Sequence, residues 1–230
     1  MANLNLDKGM GNSGKLVDLS HEIFHGLVTY PGLPAPEISE YLTREDSRPH
    51  YAPGTEFTIG RIEMVANTGT YLDSPYHRYA EGADLAGLPL ESLANLDGLV
   101  VRPDQSQRAI DRQWFESLPV AGKAVLVNTG WDRHWGTEGY FGDNPFLTKG
   151  AVRYLVEARA ALVGIDSLNI DDTRDGRRPA HSHLLKAGIP IVEHLTGLGK
   201  LPESGFSFFA VPVKVRDFGS FPVRAFAIVQ

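Results

Sequence analysis

Along the chain, short apolar runs alternate with polar connections rich in glycine and proline. LVDLS at 16–20, FTIGRIEMVAN at 57–67, LVVRP at 99–103 and AVLVNTG at 124–130 have the β-branched content and alternation of strands. ALVGIDS at 161–167, IPIVEHL at 189–195, FSFFAVPVKV at 206–215 and VRAFAIV at 223–229 continue the series. Helical spacing is rarer. TKGAVRYLVEARA at 148–160 sets Val152, Leu155 and Val156 on one face behind Thr148, a good N-cap, and so predicts a helix. DRQWFESL at 111–118 predicts a short helix, and AHSHLLKAG at 180–188 predicts another, ended by Gly188. With strands predominant, helices between them and no internal repeat or dividing linker, the pattern predicts one α/β domain with a mixed sheet. TYPGLPAPE at 29–37 and IDDTRDGRRP at 170–179 read as surface loops able to wall a cleft.

Composition narrows the functions open to such a domain. The 230 residues carry a formal net charge of -6, which argues against a nucleic-acid groove, since that needs a basic face. There is no cysteine, so disulfides, thiolate metal sites and cysteine nucleophiles are excluded, and any metal must be held by His, Asp, Glu or weaker oxygen donors. The start, MANLNLDKGMGNSGK, lacks a basic region followed by an apolar core and does not read as a signal peptide. Residues 1–14 are expected to form a mobile arm, or one ordered by a partner subunit, ahead of a single domain over 15–230. No apolar run approaches the ~20 residues needed to cross a bilayer, so a soluble cytoplasmic protein is the expectation.

Candidate chemistry concentrates in two places. NTGTYLDSPYH at 67–77 holds Asp73 and His77, which in one pocket would be metal ligands or an acid–base pair; alternatively Asp73 simply caps a following turn. HSHLLKAGIPIVEH at 181–194 holds three histidines and a glutamate. His181 and His183, two apart on a helix, face different ways. Glu193 sits in an apolar strand, where it must face solvent from an edge or be paired with a cation. Spacing alone leaves these alternatives open.

The two clusters together resemble the metal-dependent cyclase family of bacterial kynurenine formamidases and isatin hydrolases. Its signature, H-x-G-T-H-x-D-x-P-x-H, aligns without a gap with NTGTYLDSPYH. DLSHEI at 18–23, YPG at 30–32, AVLVNTGW, VGIDS, H-x-x-LL with GIPIVE, and PVRA follow in the family's order. The resemblance implies a swivelling β/β/α fold, a homodimer or homotetramer, and a metal held by Asp73, His181 and Glu193. It makes His77 the proton donor and acceptor, and places Tyr30 beside the substrate. Two signature histidines that serve a second metal in the formamidases are Asn67 and Tyr71 here. Asn67 offers only a neutral amide, and a phenol with a pKa near ~10 is a poor ligand, so one divalent ion is expected, zinc first and manganese as the alternative. Asn67 is then free to bind substrate, and Tyr71 to donate to an oxyanion.

The implied function is hydrolysis of a small amide, formamide, lactam or lactone by a metal-activated water, with His77 as general acid and base. The alternatives are other single-metal chemistry in the same pocket, a small-molecule binding module that has lost the second metal and turnover, and a purely structural metal. His183 and His194 are assigned to structure, and His21 lies in a motif that accompanies the family. The arginines of 170–179 could attract a carboxylate or merely be solvated. GWDRHWGTEGYFGD at 130–143 reads as a substrate wall or a subunit contact.

Overall fold

The computed structural model describes residues 14–230. The arm expected over 1–14 therefore lies, Gly14 apart, outside the described residues. The first strands are β1 (Lys15–Asp18), β2 (Glu37–Leu42), β3 (Ile59–Glu63), β4 (Tyr71–Asp73) and β5 (Leu96–Val101). Then come β6 (Ala109–Ile110), β7 (Ala124–Val127), β8 (Phe146–Leu147) and β9 (Leu162–Ile165). The last are β10 (Ile191–Glu193), β11 (Phe206–Phe209), β12 (Ser220–Pro222) and β13 (Phe226–Val229). The helices are α1 (Arg44–Ser47), α2 (Lys149–Glu157) and α3 (Pro179–Lys186).

Nine strands form one mixed sheet in the order β1-β13-β11-β5-β7-β9-β10-β4-β12. Its centre, β5-β7-β9-β10, is parallel, and both flanks are antiparallel. The parallel strands are buried on both faces, which is why they read as near-continuous Val/Ile/Leu runs. Alternation divides them between two cores. Val125, Val127, Val163 and Ile165 pack under α2 and α3, while Ala124, Leu126 and Leu162 join Leu72, Val192 and Phe208 on the opposite face. α2 connects the parallel neighbours β7 and β9, and α3 connects β9 and β10, so these two helices lie together on one face. Thr148 caps α2 by accepting a hydrogen bond from the Ala151 amide, as the sequence predicts.

Several segments differ from the sequence reading, and β4, β6, β8 and β12 are short strands that it did not anticipate. The 111–118 segment forms only a 3-10 turn at Arg112–Trp114. FSFFAVPVKV stays a strand only to Phe209, because Pro212 has no amide to give to a ladder. EISEYL, adjoining the Pro-rich loop, is the unforeseen strand β2; it pairs with β3 in a hairpin outside the main sheet.

Candidate active site

The site is built on β4, which runs between β10 and β12. Tyr71 lies opposite Glu193 and Pro222, and Asp73 opposite Ile191 and Ser220. Because side chains alternate along a strand, Leu72 turns into the apolar core and Tyr71 and Asp73 turn together toward the helix-covered face. Their partners Glu193 and Ser220 follow them. The Gly-Thr ahead of β4 has a structural task. Gly69 takes a left-handed φ of 66°, where a Cβ would meet Ile23 at 2.8 Å, and the Thr70 hydroxyl donates to the His194 carbonyl at 2.6 Å.

From α3, His181 descends onto the same face. Its Nε2 lies 3.6 Å from Asp73 Oδ2 and 3.8 Å from Glu193 Oε1. Asp171 fixes the ring from behind, accepting from His181 Nδ1 at 2.7 Å, from the His181 amide at 3.1 Å and from the Ala180 amide at 2.6 Å. Burial works against a charge on His181, but the carboxylates of Glu193, Asp171 and Asp73 prevail and push its pKa up to about 10. Burial raises Glu193 to about 7, with the His181 charge opposing. Asp73 is also fully buried, yet His181, His77 and the Ser220 hydroxyl outweigh that penalty and hold its carboxyl below the usual range.

These values describe a pocket with more negative charge than its own side chains neutralise. Asp73 Oδ2 is buried with no hydrogen-bond partner among the described residues. Two ligands ~2.1 Å from a tetrahedral ion would stand ~3.4 Å apart, close to the separations from His181 Nε2 to the two carboxylates. His181 Nε2 with either carboxylate is thus spaced for a divalent cation. Among the described residues, the group whose donor atoms all lie within 4.8 Å of one another is Asp73, His77 and His181, a set that does not include Glu193.

His77 has a different partner. Ser220 Oγ donates its one proton to Asp73 Oδ1 and lies 2.8 Å from His77 Nδ1. With that proton committed to an acceptor-only carboxylate, the hydroxyl must receive its second bond from Nδ1–H. In the neutral imidazole this leaves the lone pair on Nε2. Gly219 makes the close approach possible, since a Cβ there would stand 2.6 Å from the His77 backbone.

Tyr71 is buried, and its phenol donates to Glu193 Oε2 at 2.6 Å. Burial and the charges of Glu193 and Asp73 hold its pKa well above 10. The second Glu193 oxygen accepts from the Ile170 amide at 2.7 Å. The Tyr71 proton is thus given to Glu193 in this arrangement rather than held free for an oxyanion. Tyr30, Asn67, Tyr71, His77, His181 and Glu193 all line one cleft of about 490 Å³, with Asp73 beneath.

The structure thus gathers all seven sequence-derived candidates into one place. Both loops expected to wall a cleft do so, through Tyr30–Leu33 and Gly176–Arg178. Glu193 is inward, on an internal strand, and fully buried. His183 faces away from the site, as expected. Trp135 and Tyr140 do not line the cleft. Trp135 stacks on His21 at 3.9 Å, and the Tyr140 hydroxyl lies 2.8 Å from His194 Nδ1, so they form a support behind Tyr71. Burial keeps both of these histidines neutral, lowering His21 to about 4 and His194 to about 3. Asp171 and Ser220 escaped the sequence reading; an acidic residue just ahead of a helix carrying a candidate ligand is the signal that could have raised Asp171.

Comparison with known proteins bears on this geometry. Residues 17–172 match the Cyclase family model, a span that includes Asp73 and His77. A kynurenine formamidase of Bacillus cereus is 25% identical over 211 residues, covering 91% of this chain and 95% of the relative. A solved structure of a potential metal-dependent hydrolase with cyclase activity has 26% identity and a TM-score of 0.77, over 94% of this chain and 98% of its own. An isatin hydrolase bound to the product analogue thioisatinate shares the fold, with a TM-score of 0.82 over 95% and 93% of the two chains at 21% identity.

Proposed function

The chain belongs to the Cyclase family, and from that premise we propose that it is a metal-dependent hydrolase of a small amide, formamide, lactam or lactone. The observation that carries this reading is the unpartnered, buried Asp73 Oδ2, set among His181 and Glu193 beneath an open cleft. Asp73, His181 and Glu193 would hold one divalent ion. Two carboxylates and an imidazole suit zinc or manganese, with zinc the expectation. When bound, such an ion supplies Lewis-acid polarisation of a carbonyl and a more acidic water.

The chain's own residues supply proton transfer and orientation. His77 Nε2 takes the proton of the attacking water and passes it to the leaving nitrogen or oxygen. Ser220 holds that tautomer, and Asp171 aims His181. Tyr71 fills the place of a signature histidine and engages Glu193, which supports a single ion rather than two. Tyr30 and Asn67 face the cleft as substrate contacts.

Residues 15–230 act as one unit in this reading. Apolar side chains exposed on the β2–β3 hairpin, among them Ile38, Tyr41, Ile59 and Ile62, support self-association, because an isolated hairpin is marginal in water. A homodimer or homotetramer follows. None of the described helices is long and apolar enough to cross a membrane, and a cytoplasmic location stays the sequence-based expectation.

The test pairs elemental analysis with turnover of formanilide and isatin, for the parent and for Asp73→Ala. One equivalent of metal and measurable hydrolysis in the parent, both lost in the variant, is the expected result. A metal-bound parent that hydrolyses no amide or lactone would leave the binding-module reading in its place.

A further inference from the structure

Floor and mouth of the cleft carry opposite charge. Asp73 and Glu193 lie at the bottom, whereas Arg78, Arg177 and Arg178 line the opening. Arg177 is already engaged, donating to both Asp175 oxygens at 2.9 and 3.0 Å. The other two have no carboxylate partner among the described residues. Arg178 donates to the Asp172 carbonyl at 3.3 Å, and Arg78 lies over the Tyr79 ring at 5.4 Å. In a chain of net charge -6, with more acids than bases to pair, two unmatched guanidinium groups on one cleft stand out.

Arg178 is also held at a cost. Its backbone is left-handed, with φ 47° and ψ 61°, immediately before Pro179. A non-glycine residue there gives up about 1–2 kcal/mol, and such strain persists where the surrounding structure fixes it, here at the entry to α3. Any residue would turn the chain into α3, and glycine would do so without strain; what arginine adds is the guanidinium on the cleft wall.

We propose that Arg78 and Arg178 form an anion subsite at the cleft mouth, and that the substrate is a small amide, formamide, lactam or lactone bearing a carboxylate away from its scissile bond. This rests on the hydrolase reading above. Arg78 directly follows His77, and Arg178 stands three residues before His181, so the subsite adjoins the side chains that face the reacting carbonyl. Guanidinium presents a planar fork that matches a carboxylate with two parallel bonds. Tyr30, Pro31 and Leu33 offer an apolar wall to the body of the same molecule. Asp73 and Glu193 are committed to the ion in this reading, so the guanidinium pair at the mouth orients the substrate with its neutral carbonyl inward.

The test is calorimetric binding of meta-formamidobenzoate and its methyl ester to the full-length, zinc-loaded protein and to Arg78→Gln/Arg178→Gly. Glycine at 178 relieves the strained φ, which guards against loss of the fold. The carboxylate should bind the parent about tenfold or more tightly than the ester, as charge-assisted hydrogen bonds imply, and the ratio should collapse to about twofold or less in the variant. A ratio that survives both substitutions would place the carboxylate on the metal instead and overturn the proposal. So would the absence of any preference in the parent, whether both probes bind or neither does. Hydrolysis of either probe is scored separately, so failure of turnover sinks the hydrolase reading while the affinity ratio still decides the subsite.

Discussion

Asp171→Asn isolates the support of the candidate ligand from the ligand itself. The carboxylate accepts three hydrogen bonds, from His181 Nδ1 and from the amides of His181 and Ala180. Asparagine keeps the shape but has one acceptor oxygen, and its NH2 must then face a donor. If the oxygen serves the imidazole and the His181 amide, the Ala180 amide is left buried against an NH2. If it turns the other way, the ring loses what orients Nε2 toward Asp73 and Glu193. A buried donor without an acceptor costs about 1–3 kcal/mol of stability. Loss of the partner behind a metal-binding histidine lowers metal affinity about 10–100-fold, or about 1.4–2.7 kcal/mol. Competition against a chelator of known affinity gives the metal dissociation constant, and denaturant unfolding of the metal-free protein gives the stability term separately. A dissociation constant within about twofold of the parent would refute the assignment of His181 as a ligand held by Asp171.

Three further outcomes follow from the same geometry. Without metal, His181 titrates at about 10 instead of 6.5 and Glu193 at about 7 instead of 4.5. Both are raised on folding, so their contribution is complete below the unfolded values and is lost as pH climbs through the folded ones. Metal binding instead gains from ligand deprotonation, so the rise in Tm on adding zinc should be larger near about pH 9 than near about pH 6, and the opposite order in thermal scans would contradict the ligand set. Ser220→Ala removes the hydroxyl shared by Asp73 and His77; kcat/KM should fall about 100-fold or more if Nε2 of His77 is the base, and steady-state kinetics with unchanged kcat would rule this out. Asn67→His/Tyr71→His restores the signature histidines, and elemental analysis should then find a second equivalent of metal, whereas an unchanged count would mean that Tyr71 does not occupy that place.

How much of this was legible beforehand depended on whether the cause was local. β5, β7 and β9 showed themselves because strands buried on both faces must be apolar, and α2 because Thr148 and its apolar stripe lie within a few residues of one another. β2 did not, because EISEYL is largely exposed and owes its conformation to pairing with β3 across the intervening α1 segment. In the site, spacing drew attention to Asp73 and His77, but it could not tell a ligand from a cap. Resemblance to a family joined them to His181 and Glu193. Ser220 remained invisible, as it is an ordinary serine until the chain returns 147 residues later to set it beside Asp73. Asp171 sat in a polar stretch where solvation is the default, and only the fold shows it fully buried.

The placement of β4 between β10 and β12 has a consequence for how the protein matures. Tyr71 meets Glu193 across 122 residues and Asp73 meets Ser220 across 147, so no early segment of the chain holds a working site. Loop closure over such separations comes late and slowly in folding. A growing chain would emerge with Asp73 and His77 exposed long before the strands that flank them exist. The capacity to retain a metal, and with it activity, would then switch on only when the last strands dock, so that ion uptake reports completion of the fold rather than guiding its beginning.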